Sequence, residues 1–243
     1  HDIIALMPEE QKTHNHTQEE KDRIKKIRME RIHSEFEEGF KFIDEYPASV
    51  TVFGSSLLKE DDPYCVSART LTGRIAKELK YAVLTGGGPG IMEAANRGAH
   101  ENGGASLALT IRLPHPQIVN PYITRMVDPN YFFVRKVLLS FNAAAFIFFP
   151  GGYGTLDEFF EILTLVQTQK ITGVPIVCVG ADFWSSLKVF IEKELLTRGT
   201  ILPDNVDLFK ITDNHDEILE IIKQSPLRDN LDIHEVTQIS DIS

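Results

Sequence analysis

Short apolar runs alternate along this chain with longer stretches in which apolar positions recur at helical spacing. The runs Ser49 to Phe53, Tyr81 to Leu84, Ala105 to Ile111, Ile123 to Val127, Ala143 to Phe149 and Pro175 to Val179 predict strands. Cys65 to Leu79, Ile91 to Asn102, Phe132 to Phe141, Leu156 to Gln169, Phe183 to Thr197 and a last stretch around Asp216 to Lys223 predict helices. Strand and helix in alternation imply a Rossmann-like, doubly wound parallel sheet with helices on both faces. The unbroken run Ala143 to Phe149 fits a strand buried on both sides.

Ahead of this core, Ile24, Ile27, Ile32, Phe36, Phe40 and Ile43 recur at near-helical spacing up to a break at Pro47, and Thr17 with Glu20 can form a capping box. They predict an N-terminal amphipathic helix that docks on the core or on a partner subunit. Its charge-rich outer face reads as a solvated surface. The chain then divides into a disordered start and helix over 1–47, an α/β domain over 48–225 and a polar tail over 226–243. A Pro-rich link, Leu113 to Pro121, interrupts the core.

Composition narrows the partners. At 243 residues the chain can bury a sizeable core, and its net charge of −10 argues against nucleic acid or an anionic membrane surface as the main partner. Cys65 and Cys178 are the only cysteines and suggest no disulfide framework, so a reducing, cytoplasmic setting is expected. No apolar run approaches the roughly 20 residues a spanning helix needs, and His1 to Glu20 is too polar for a secretory signal. His14 and His16 are not read as a metal site. No cluster has metal-ligand spacing, and neither a metal nor another cofactor is expected.

Two glycine turns carry the chemistry. Pro150-Gly151-Gly152-Tyr153-Gly154-Thr155-Leu156-Asp157-Glu158 follows one strand, and Thr85-Gly86-Gly87-Gly88-Pro89-Gly90 follows another. In the first, glycines let the backbone approach a ligand closely, Thr155 is expected to cap the following helix, and N–H groups at that helix start attract anions. Asp157 and Glu158 would repel a phosphate there, so a carboxylate needs another purpose, and chemistry at a sugar is the first candidate. In the second, Pro89 fits the first turn of the helix from Ile91. Two such units suggest one cleft at the carboxyl ends of a parallel sheet. Neither matches G-x-G-x-x-G, and no G-x-x-x-x-G-K-[ST] loop is present, so dinucleotide binding and triphosphate hydrolysis lack support.

Gly86 to Ala99 (GGGPGIMEAANRGA) together with Pro150 to Glu158 (PGGYGTLDE) resembles the LOG (LONELY GUY) family, cytokinin riboside 5'-monophosphate phosphoribohydrolases long mislabelled as lysine decarboxylases. The resemblance covers roughly Ser49 to Thr197. It implies a Rossmann-like fold assembled at least as a homodimer, and hydrolysis of the N-glycosidic bond of an adenosine-type 5'-monophosphate to free base and ribose 5-phosphate. By motif, Glu158 matches the catalytic glutamate, and Arg135 with Lys136 matches the family's Arg-Lys pair. Gly151, Gly152, Gly154 and Thr155, with Gly87 and Gly88 of the other turn, would hold the phosphate; Met92 and Lys136 would lie on the ribose or base side. Where plant-like members carry Met-His before the Arg, this chain has Phe132-Phe133-Val134, which bears on the base pocket. The N-terminal helix marks a longer bacterial-type branch.

The chemistry agrees with that implication. Cleaving a purine from ribose builds positive charge at C1' and the ring oxygen, as in glycoside hydrolysis. Glu158 could stabilise that charge and orient or deprotonate water, while Arg135 holds phosphate or ribose and offsets the repulsion from Glu158 and Asp157. Glu93 is suited to ribose hydroxyls, and Ser55 could touch base or sugar. The alternative is a nucleotide or cofactor carrier that uses the same cleft without turnover. Lysine decarboxylation fails on chemistry, because pyridoxal phosphate needs a Schiff-base lysine and Lys136 is the only lysine near the motifs. Phe132, Phe133 and Phe141 read as helix packing or a dimer seam, and Trp184 and Cys178 as core.

Overall fold

Buried backbone must pair, and the apolar runs do so as a single parallel sheet. The computed structural model describes residues 17–112 and 118–227; His14, His16, the start of the Pro-rich link and nearly all of the expected tail lie outside them. The strands are β1 (Ser49–Phe53), β2 (Ala82–Thr85), β3 (Ser106–Leu109), β4 (Arg125–Val127), β5 (Ala143–Phe148), β6 (Ile176–Cys178) and β7 (Lys210–Ile211), in the order β4-β3-β2-β1-β5-β6-β7. Every neighbouring pair is parallel. The helices are α1 (Gln18–Asp44), α2 (Pro63–Arg74), α3 (Ile91–Glu101), α4 (Phe132–Phe141), α5 (Tyr153–Gln167), α6 (Ala181–Phe190) and α7 (His215–Gln224).

The period of two along a strand sends alternate side chains to opposite layers. From β5, Phe146 and Phe148 pack with Leu138, Phe159, Trp184 and Phe42 beneath α1, α4, α5 and α6. Ala145, Ile147 and the adjoining Phe149 pack with Leu71, Ile75, Ile91 and Ile222 beneath α2, α3 and α7. With both faces covered, β1, β2, β3, β5 and β6 have no wet side, and this is why they read as continuous apolar runs rather than alternating ones, while the edge strands β4 and β7 are partly exposed. Trp184 and Cys178 are fully buried, as expected of core.

At the N-terminus the capping box forms: Thr17 Oγ1 accepts from the Glu20 N–H at 3.2 Å, and Glu20 Oε2 accepts from the Thr17 N–H at 2.8 Å. The buried side of α1 lies on α4. A Cβ on Gly39 would come within 2.1 Å of Leu138 Cδ1, and Phe40 meets Phe141 edge-on at 4.6 Å between centroids. Among the described residues no helix is long and apolar enough to cross a membrane.

The structure corrects several expected boundaries. Thr155 does not cap α5; extended Gly152 holds the cap position and the helix begins at Tyr153, leaving Thr155 inside the first turn. Pro89 precedes the cap of α3, which is Gly90 at φ +71°. The helices predicted to end at Leu79 and Thr197 close in wider π turns, Ile75–Leu79 and Ile191–Leu196. The two-residue β7 and the 3₁₀ turn Pro203–Asp207 carry too little periodicity to be foreseen.

Strand order reverses at β1, whose neighbours are β2 on one side and β5 on the other. Such a switch point leaves a crevice at the carboxyl ends of the strands. The loops that leave those ends are tied together through Ser55: its N–H donates to Pro150 O at 3.0 Å, and its carbonyl accepts from the Ile91 N–H at 2.9 Å. Gly54 permits this approach, since a Cβ there would lie 2.6 Å from Ile91 Cγ2. Gly54→Val is therefore expected to lower stability by about 1–3 kcal/mol, as overpacking does. Urea denaturation monitored by the buried Trp184 measures it.

Candidate active site

A cleft of about 350 Å³ opens at this switch point. Gly54 and Ser55 contribute from the loop after β1, Gly86 from the turn after β2, Met92 from the start of α3, Arg135 from α4, and Gly152, Thr155 and Glu158 from the start of α5. The volume lies in the range of small-ligand sites. A larger groove of about 1110 Å³ runs between α2 and α3, but its arginines are engaged in ion pairs: Arg69 with Glu101, Arg74 with Glu78 and Asp216, and Arg97 with Glu60 and Glu101. The smaller cleft is the one at which the sheet ends and the glycine turns converge.

Its floor is backbone. The first N–H groups of a helix have no intrahelical acceptor, and no side chain caps α5 at Gly152. The donors of Tyr153, Gly154 and Thr155 thus form a ready anion site, reinforced by the helix dipole. Thr155 lies over Gly151, where a Cβ would come 2.2 Å from its Oγ1. Gly151 therefore makes room for the threonine rather than lining the cleft.

Two charges face this floor. Arg135 stands one turn into α4, with its Nε donating to Leu109 O at 2.8 Å. Its Nη2 lies over Gly86, where a Cβ would be 2.3 Å away. Burial lowers its pKa, and the neighbouring Glu158 opposes that shift; a guanidinium stays charged all the same. Glu158 is 8% exposed. Desolvation pushes its carboxyl up to about 7, against the pull of Lys136 and Arg135 and with Glu161 and Asp157 adding to the rise. A carboxyl poised near neutrality inside a cleft is suited to proton transfer or to meeting developing positive charge.

Not every expected residue comes to the cleft. Ser55, Met92, Gly152, Gly154, Thr155, Arg135 and Glu158 do. Glu93 lines the α2–α3 groove, because successive helical residues point about 100° apart and Met92 takes the inward direction. Gly87 and Gly88 turn the opposite way: their carbonyls accept from the backbone N–H and side-chain Nδ2 of Asn120, at 3.0 and 3.1 Å. Lys136 points outward to α5 and pairs with Asp157 at 2.7 Å and Glu161 at 2.8 Å. Burial alone would lower its pKa, yet these two carboxylates hold its ammonium above the ordinary lysine value.

Other lining residues were not singled out as ligand contacts by the sequence. Gly86 is the first glycine after β2, and that position was the available signal, since the residue leaving a strand end sits at the crevice. Phe132 is about half exposed at the rim, and Tyr153 and Leu57 are almost wholly exposed there. For Leu57 no pattern announces the placement. Phe133 is also half exposed, whereas Phe141 packs on Phe40 as foreseen.

Comparison with known proteins adds to this geometry. A family model described as "Possible lysine decarboxylase" matches residues 92–222. Cytokinin riboside 5'-monophosphate phosphoribohydrolase LOG5 of Arabidopsis thaliana is 26% identical over 185 residues, 75% of this chain and 80% of that protein. The cytokinin riboside 5'-monophosphate phosphoribohydrolase of Rhodococcoides fascians is 30% identical over 123 residues, 49% of this chain and 61% of that protein. Among solved structures, the molybdenum cofactor carrier protein of Chlamydomonas reinhardtii matches with a TM-score of 0.53 at 20% identity, covering 73% of this chain and 97% of that one. At that identity the likeness is one of fold.

The raised Glu158 pKa has a thermodynamic consequence. A carboxyl whose folded pKa exceeds its unfolded value stabilises the fold fully below the unfolded pKa, and that contribution is lost as pH rises through the folded one. The window here runs from about 4.5 to about 7. Glu158→Gln, which cannot ionise, is expected to gain stability over the wild type as pH increases from 5 to 9, reaching roughly 3 kcal/mol. Urea titrations at both pH values measure the gap, and an equal gap at pH 5 and pH 9 would count against the buried, raised carboxyl.

Proposed function

Because the chain belongs to the LOG family, the family of the "Possible lysine decarboxylase" model, we propose that it hydrolyses the N-glycosidic bond of a nucleoside 5'-monophosphate. The substrate class is AMP or an N6-substituted AMP, and the products are the free base and ribose 5-phosphate. One observation carries this reading: Glu158, buried and raised to about 7, stands one helical turn beyond the free N–H groups of α5 with Arg135 in the same cleft. An anion site with a carboxylate beside it repels its own ligand unless that carboxylate meets positive charge elsewhere on the substrate.

In this mechanism the phosphate rests on the N–H groups of Tyr153, Gly154 and Thr155, and Arg135 bridges phosphate and ribose. The C1' then lies toward Glu158. As the bond to the base breaks, the base leaves with the electron pair and takes up a proton from solvent, and the ionised Glu158 stabilises the oxocarbenium-like centre. Glu158 takes a proton from the attacking water, whose oxygen bonds to C1', and then releases it to solvent, so that one water is consumed overall. Met92, Phe132, Leu57 and Tyr153 offer an apolar rim to the base. Residues 48–225 form the catalytic unit, and α1 is an added layer upon it.

Decarboxylation is poorly supported despite the family model's description. Among the described residues no lysine lines the cleft, and Lys136 is held protonated by two carboxylates, whereas a Schiff base requires a free amine. A pure carrier would have no use for Glu158 in this position. The two free cysteines are buried, consistent with the reducing cytoplasm proposed as the protein's location. Phe133, Val137 and Phe160 expose apolar surface beside the cleft, the face proposed for a homodimer.

Incubation with AMP, isopentenyl-AMP, GMP and CMP is expected to release free base and ribose 5-phosphate from at least one adenine monophosphate; release from none of the four sinks the reading. Log kcat/KM should rise with pH and level off above an apparent pKa near 7, since the ionised Glu158 is the active form. Glu158→Gln should lose about 10²–10⁴-fold in kcat while still binding ribose 5-phosphate. For the assembly, light scattering should report a dimer for the wild type and a monomer for Phe133→Asp with Val137→Asp.

A further inference from the structure

The helix that carries Arg135 does not cap itself. The residue at its cap position, Tyr131, makes no side-chain capping bond, and the chain entering the helix is held instead by a carboxylate from α1. Glu35 Oε2 accepts from the backbone N–H groups of Asn130 at 3.1 Å and Tyr131 at 3.3 Å, and Oε1 accepts from Asn130 Nδ2 at 2.6 Å. Arg31 flanks the carboxylate at 3.5 Å. Glu35 is only 9% exposed, in a helix whose other acidic residues are on its solvent side or at its ends. The solvated outer face read from the sequence therefore omits its one buried carboxylate.

From Glu35 to the cleft is a short path. The Tyr131 unit that donates its N–H to Glu35 accepts, at its carbonyl, the backbone N–H of Arg135 at 3.1 Å, the first hydrogen bond of α4. Fixing Tyr131 at one end therefore fixes where the first turn begins and where Arg135 leaves it. One turn later Gly39 seats against Leu138 at a distance no larger residue allows, so α1 sets both the axial and the lateral position of α4. At the far end the guanidinium has a single described hydrogen bond, Nε to Leu109 O. Its direction depends on the backbone behind it.

We propose that Glu35 is a positioning residue for Arg135, and that α1 acts as a brace which sets this guanidinium against the cleft rather than as a surface appendage. The proposal rests on the assignment of Arg135 to substrate binding, so its test needs one readout independent of turnover. In protein labelled with ¹⁵N-arginine, the Arg135 Nε–H signal, assigned by its loss in Arg135→Lys, reports the bond to Leu109. Glu35→Met, similar in length but without an acceptor, is expected to shift that signal and speed its exchange with solvent. Glu35→Gln, which keeps one oxygen for the two backbone donors while the Asn130 side-chain amide turns its oxygen to the new NH2, is expected to restore it. With the adenine monophosphate that is turned over, Glu35→Met should lose roughly 10- to 100-fold in kcat/KM, the scale of a small misplacement. In an Arg135→Ala background the same change should cost less than about twofold, because coupled residues are not additive.

A folded Glu35→Met protein whose Arg135 signal is unmoved overturns the proposal, as does an equal loss of kcat/KM in both backgrounds. Should Glu35→Met fail to fold by circular dichroism, Glu35→Asp, which withdraws both oxygens by one methylene, is read in the same way. If the wild type hydrolyses no monophosphate but the signal still moves, the brace stands and the assigned reaction falls.

Discussion

Two hydrogen bonds from the backbone of Ser55 hold the functional end of this molecule together. Its N–H reaches Pro150 after β5 and its carbonyl receives the Ile91 N–H at the start of α3, so the three loops at the switch point meet at one residue. Parallel strands bring their carboxyl ends to the same edge, but nothing in the sheet dictates how the loops beyond them meet. Here that is decided by contacts too close for side chains: Gly54 against Ile91, Gly90 against the Ser55 carbonyl, and Gly151 against Thr155. Each of these three glycines leaves room for a neighbour that a Cβ would exclude.

Against that backbone frame the electrostatics are set by burial. A nearly buried carboxyl and a nearly buried guanidinium share a narrow crevice, and desolvation shifts both away from their ordinary ranges. Neither is neutralised by direct pairing with a residue of the opposite charge in the described contacts; Lys136, the residue next to Arg135, is drawn outward by Asp157 and Glu161. The consequence is a Glu158 that can change protonation near neutral pH. Had Lys136 turned inward, the same residues would have produced an ordinary ion pair and an acid too weakly basic for the work proposed here.

The second layer matters because a cleft built from loops inherits its precision from what lies behind them. On one face, buried Asn96 ties the β2 turn: it accepts from Thr85 Oγ1 at 2.7 Å and Asn120 Nδ2 at 2.9 Å and donates to Ser106 Oγ at 2.9 Å. On the other, α1 bears on α4 through Glu35, Gly39 and Phe40. Of these supports, Asn96 and Glu35 act by hydrogen bonds, and Gly39 and Phe40 by close packing.

The sequence alone determined the class of fold and the two charged residues most central to the cleft. Strand and helix periods are local properties, so they survive without knowledge of neighbours, and the two glycine turns sit at strand ends whatever the sheet order. Glu158 was legible because it follows a glycine turn at a spacing that places it early in the helix, whereas Arg135 was reached only through the family resemblance, its helix following neither glycine turn. Glu93, Lys136, Gly87 and Gly88 were not legible, since a single step around a helix or one peptide's rotation in a turn separates cleft from exterior, and that choice belongs to tertiary packing. Glu35 was hidden for the same reason: among many charges on a long helix, only the arrival of Asn130 and Tyr131, far away in the chain, makes one of them a buried cap. Periodicity records which residues avoid water, but which polar group meets which donor depends on how separate elements close upon one another.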